Sequence, residues 1–167
     1  LGLAASRAAD LIRAHQAAAG HWPTAVTPGL AFEHPGSEVN VFVPAVLVDL
    51  LGPIAAETGL ADVVERARAW LAAQIEDTGL VRYHGNPGPV ANPGCELPPD
   101  ADDTALVWRL APRSEVSLRE SARRTIERYR TDAGLYRVWL APDDEYRCFY
   151  SKHSGRESNP VDVAVQM

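Results

Sequence analysis

Three glycines, each followed closely by an aromatic residue, recur along this chain: Gly20-His21-Trp22, Gly79-Leu80-Val81-Arg82-Tyr83 and Gly134-Leu135-Tyr136. They are separated by 59 and 55 residues. Each glycine closes a charged amphipathic helix. An irregular connection follows, and then an apolar helix that opens on polar residues: Glu38 and Asn40, then Asp100, Asp102 and Asp103, then Asn159 and Asp162. A period of this length means one supersecondary unit used three times, each copy burying its apolar face against the next.

The helices themselves follow from 3.6-residue periodicity. Residues 4–19 carry Leu11, Ile12, His15 and Ala19 on one stripe, with Arg7, Asp10 and Arg13 largely elsewhere. Residues 38–51 are apolar on nearly all sides, the mark of a buried helix, and Gly52-Pro53 weakens or ends it. Residues 60–76 are again two-faced, residues 100–110 short and apolar, and residues 117–130 strongly charged. Leu135 to Leu140 reads as extended, and Asn159-Pro160-Val161-Asp162 starts a sixth helix that the end of the chain cuts short. The alternation predicts an all-α single domain over residues 1–167, a toroid with charged helices outside and apolar helices inside. Parallel inner helices gather their amino ends around one mouth. Asn40, Asp100, Asp102, Asp103 and Asp162 belong there, with Trp22, Tyr83, His84 and Tyr136 on the adjoining loops. Three helix pairs leave an apolar seam, so the pattern also predicts completion by further chain or by a second copy.

Composition narrows the function classes. A net charge of −6 and a pI near 5.3 argue against a nucleic-acid or anionic-membrane surface. The longest apolar run, residues 41–56, is interrupted by Pro44, Asp49 and Pro53 and is too short to span a bilayer. The two cysteines, Cys95 and Cys148, form no metal-ligand pattern. They read as reduced thiols of a cytoplasmic protein without zinc.

The densest chemistry lies in Pro98-Pro99-Asp100-Ala101-Asp102-Asp103-Thr104-Ala105. Prolines ahead of a polar residue and an apolar run mark a helix start, with Asp100 placed as its N-cap. Capping and the helix dipole account for one or two acids, less easily for three. The six residues from Asp100 resemble the Asp-x-Asp-Asp-Thr-Ala motif of class II terpene cyclases, the squalene–hopene and copalyl diphosphate cyclase family. The Gly-x-Trp and Gly-Leu-Tyr turns are similar to degenerate forms of that superfamily's Gln-Trp repeats. The resemblance implies an (α/α)6 barrel, of which this chain would supply half. It further implies protonation of an alkene or epoxide by the middle aspartate, Asp102, with Asp100 and Asp103 tuning it. The ligand would be a linear isoprenoid, with no cofactor, and a magnesium ion only where the substrate carries a diphosphate.

Trp22, Tyr83, Trp108 and Trp139 could face a carbocation, although aromatic residues at turns and on apolar helices are mostly core. His84 is a candidate acid–base partner or diphosphate contact. Asn40 and Asp162 are candidate substrate contacts as well as caps. Two other classes fit the same pattern. One is a non-catalytic module holding a hydrophobic or prenylated ligand. The other is a glycan-processing enzyme, which needs a second carboxylate opposite Asp102, either Asp162 or Glu38.

Overall fold

The computed structural model describes residues 2–27, 31, 33–85, 97–142, 144–146 and 159–161. The chain is helix-rich, with α1 (Leu3–His15), α2 (Phe42–Leu51), α3 (Ala55–Thr58), α4 (Ala61–Ala73), α5 (Ala101–Leu110) and α6 (Val116–Arg128). A small antiparallel hairpin pairs β1 (Thr24–Val26) with β2 (Gly36–Glu38). The connection after Gly20, expected to be irregular, therefore carries a sheet, and the expectation of a purely helical chain is corrected there. Three-residue strands are shorter than any window in which alternation can be recognised. Residues 159–161, read as the start of a sixth helix, are not helical, Val161 bridging Arg137 instead. The rest of that helix with Asp162 lies outside the described residues, as do Cys95 and Cys148.

The glycine turns share one hydrogen-bond pattern. The N–H of Ala17 donates to His21 O at 2.8 Å, and that of Gly20 to Ala17 O at 2.9 Å. Glu76 and Thr131 repeat the first bond to Leu80 and Leu135, and Gly79 and Gly134 repeat the second to Glu76 and Thr131. Gly20 (φ 107°) and Gly79 (φ 85°) also have no room for a side chain. A Cβ on Gly20 would overlap the Arg66 carbonyl of α4, and one on Gly79 the Leu118 carbonyl of α6. Each turn is thus pressed under the next charged helix, and only glycine permits both that approach and that φ.

The main core joins Val41, Ala45 and Val48 of the α2 region to Leu60, Val63, Val64, Ala67 and Leu71 of the α4 region and Val107 of α5. The charged helices stay outside: α1 buries no residue completely and α6 only Ala122. Glu65, Glu120 and Arg124 are exposed, while Arg68 is half-buried. Helix α2 is less enclosed than its composition suggests, since Phe42 and Leu50 remain exposed.

Local interactions set the helix ends. Gln16 leaves the helical conformation as its side chain donates to Gly20 O and Val63 O, drawing the chain onto α4. Helix α1 therefore stops earlier than its apolar stripe predicted. After α2, Gly52–Ile54 tightens into one 3-10 turn, and α3 closes at Gly59 in the left-handed region (φ 70°).

Candidate functional site

The amino ends of α2 and α5 are held by the same device. Asn40 Oδ1 accepts the Val43 N–H at 2.9 Å, and Asp100 Oδ1 accepts the Asp103 N–H at 3.0 Å. The main chain then ties each end to the extended segment after the following glycine turn. The Val41 N–H donates to Tyr83 O at 2.7 Å, and the Ala101 N–H to Val138 O at 2.8 Å. Asn159 clamps the next segment, accepting from the Trp139 N–H at 2.9 Å and donating to Trp139 O at 2.8 Å.

These ends and segments enclose a pocket of about 310 Å³, lined by Phe42, Tyr83, Leu97, Asp100, Asp102, Asp103, Val138 and Trp139. The volume is at the small end for ligand sites. Its lining combines three carboxyl groups with aromatic and aliphatic walls, and none of these lining residues is basic.

The carboxyl groups differ sharply in environment. Asp100 and Asp103 are buried, whereas Asp102 is half-buried on the pocket wall. Burial first, then the neighbouring Asp103 and Asp102, pushes the Asp100 carboxyl well above the usual range. Burial, then Asp102, raises Asp103 to about 7, although a hydrogen bond with Asp100 opposes the rise. A helix N-terminus favours carboxylate anions, so desolvation and crowding prevail over the dipole here. Burial and crowding thus favour the protonated form at Asp100 and Asp103. Asp103 Oδ1 is buried without a hydrogen-bond partner among the described residues.

Tyr83 also lines the pocket. Its hydroxyl donates to Glu38 Oε1 at 2.8 Å, and Asn40 Nδ2 donates to the same oxygen at 3.0 Å. Burial and then Glu38 push the phenol pKa upward, so it remains a neutral donor. The hairpin therefore has a positioning role, because β2 ends at Glu38 and Asn40 Nδ2 also reaches Thr24 Oγ1 on β1 at 3.3 Å.

The structure brings Asp100, Asp102, Asp103 and Tyr83 together at the pocket. Asn40 is buried behind it as the cap of α2. His84 lies against Tyr83 in an edge-on ring contact, 4.9 Å between centroids, and does not line the pocket. Trp22 belongs to the core, where its Nε1–H donates to Ile12 O at 2.8 Å. Sequence reasoning missed Phe42, Leu97 and Val138 as walls and weighed Trp139 only as one aromatic among several. Phe42 could have been found by aligning the repeats, which sets it two residues after Asn40 as Asp102 is two after Asp100. Among the described residues no three His, Cys, Asp or Glu side chains converge on a metal position. No described helix is long and apolar enough to cross a membrane. Comparison with family models, with curated proteins and with solved structures finds no match.

Proposed function

We propose that this chain protonates a double bond or epoxide of a linear isoprenoid at the pocket before α5, in the manner of class II terpene cyclases. The observation that carries the reading is the acid cluster opening on an apolar and aromatic pocket. Asp102 is the half-exposed member at the pocket, and it would deliver a proton drawn from a cluster whose buried members, Asp100 and Asp103, are raised by burial and crowding. Transfer of that proton from Asp102 to the alkene forms a C–H bond from the π electrons. The carboxyl is left as a carboxylate and the substrate as a cation. Phe42, Tyr83 and Trp139 offer ring faces to that cation, and Leu97 and Val138 keep water from one side.

The architectural proposal belongs with it. Helices α1, α4 and α6 are outer elements and α2 and α5 parallel inner ones, together part of an (α/α) toroid closed by further helices or by a second copy. Three carboxyl groups repel a diphosphate, so that group and any magnesium ion with it lie away from this pocket. The test is turnover of sesqui- to triterpene-length prenyl substrates, with and without diphosphate, by wild type and Asp102→Asn. Complete loss in the variant with an unchanged melting curve supports the proposal, because an amide cannot deliver the proton. Loss through unfolding overturns it. The small size of the pocket favours one other reading, a binding module, which wins if wild type holds a prenyl chain without changing it. The glycan-processing reading has less support, because Glu38 is engaged by Tyr83 and Asn40.

A further inference from the structure

We infer that the same pocket is a receptor for an organic ammonium group carried on an aliphatic chain. The inference stands apart from the catalytic reading, since a pocket can hold an ammonium without protonating an alkene.

The first ground is Asp103. It is 2% exposed, lines the pocket, and leaves Oδ1 without a hydrogen-bond partner among the described residues. A buried acceptor without a donor is costly, and since Oδ1 itself is closed to solvent, a positive charge in the pocket offsets the cost through space. The second ground is the rest of the lining. Phe42, Tyr83 and Trp139 line the pocket with Asp102 and Asp100, and none of its described lining residues is Lys, Arg or His. Aromatic rings and carboxylates both attract cations, whereas an anionic head group meets no basic side chain among the described lining residues. A bare divalent ion is a poorer fit. The carboxyl groups do not converge as metal ligands, and aromatic walls contribute nothing to a hydrated metal.

The third ground is a path for the chain. From the pocket, α2 presents Phe42 (43% exposed), Val46 and Leu50 (65%), and Ile54 (44%) follows. Phe42 and Leu50 are separated by about 12 Å of helix axis. An aliphatic tail leaving the pocket covers this exposed apolar stripe.

The groups facing Asp103 are Asp100 and Asp102 on its own helix and Tyr83 from the loop after α4, with Glu38 behind Tyr83. Phe42, Leu97, Val138 and Trp139 are uncharged. None of these groups is a cation that would compete with the ligand. Asp103 ionises at about 7, so affinity for an ammonium rises as pH passes upward through that value.

Isothermal titration of the whole chain with octyltrimethylammonium chloride, octanol and octyl phosphate at equal ionic strength tests this. The ammonium should bind one molecule per chain, at least about tenfold tighter than octanol. Octyl phosphate should show no saturable binding, and the ammonium should bind more tightly at about pH 8.5 than at about pH 5.5. Asp103→Asn and Trp139→Leu should each weaken it by about tenfold or more. Glu120→Gln, in the separate groove between α5 and α6, should leave it unchanged. Octanol binding as tightly as the ammonium, tighter binding of the phosphate, or unaltered affinity in both pocket variants would each overturn the inference. If Asp103→Asn does not fold, Trp139→Leu and the pH series decide by the same criteria.

Discussion

The amino ends of α2 and α5 occupy equivalent places in consecutive repeats and are built from opposite chemistry. Asn40 and Asp100 each accept an N–H three residues onward, and each end is tied to an extended segment from the following repeat. One neutral amide suffices to do this at α2. The residues that follow differ: Phe42 and Val43 in one repeat, Asp102 and Asp103 in the other. Capping therefore accounts for Asp100 and leaves two carboxyl groups that the helix start does not need. Asp103 is among the most deeply buried side chains, one oxygen having no partner among the described residues, and such burial costs stability. The contrast separates a helix start that capping explains from one that carries more carboxyl groups than capping uses.

The equivalence of the repeats can be attacked at the glycines, where the largest effect is expected. Gly79→Ala forces a Cβ against the Leu118 carbonyl at positive φ and should cost at least about 3 kcal/mol in chemical denaturation. Gly134→Ala should cost about 1 kcal/mol, because its Cβ would meet only the flexible Arg130 side chain at 3.3 Å. Equal costs at the two sites would break the distinction.

Asn40→Ala should come next, at about 2–3 kcal/mol, because it removes a cap and leaves the Val43 N–H without its acceptor. Asp100→Asn keeps the cap with an equally good residue, and at neutral pH should be neutral or stabilising. Destabilisation there comparable with Asn40→Ala would make the carboxyl at Asp100 structural after all.

Smaller again is the pH dependence attributed to Asp103. Its folded pKa is raised from 3.8 to about 7, so the native state binds this proton more tightly than the unfolded chain. The associated stabilisation is complete below the unfolded pKa, declines as pH rises above it, and is lost once pH passes about 7. Melting curves should show Asp103→Asn stabilised relative to wild type at about pH 8, by roughly 1–3 kcal/mol, with the difference shrinking at about pH 5. A pH-independent difference would assign the effect to packing instead. The smallest effect belongs to the exposed Arg109–Asp49 pair that links α5 to α2, where Arg109→Gln should leave the melting temperature unchanged.

Much of the helical order was legible in advance, and the misses have physical causes. The charged helices at 60–76 and 117–130 were found within a few residues, because amphipathicity is a local property of the chain. The three glycines announced turns that the structure repeats bond for bond. The start of α2 was read at Glu38, yet Glu38 ends a strand and the helix begins at Phe42. Its acidic side chain resembles a helix-start signal, while its actual partners, Tyr83 and Asn40, include one 45 residues away. Trp22 was grouped with the mouth because it follows a glycine turn, but the ring turns into the core beneath α1.

The sequence by itself determined the repeat, the order of charged and apolar helices, and the crowding of three carboxyl groups at one helix start. Each depends on residues near one another along the chain. Tertiary structure decided which carboxyl at the pocket stays half-exposed, which oxygen has no donor among the described residues, and which aromatic residues line the pocket. Those outcomes depend on burial and on partners brought in from other repeats, such as Val138 against Ala101 and Tyr83 against Val41. Desolvation is a property of the packed surroundings. The same aspartate can be an ordinary exposed cap or a retained acid, and only the neighbours it meets on folding determine which.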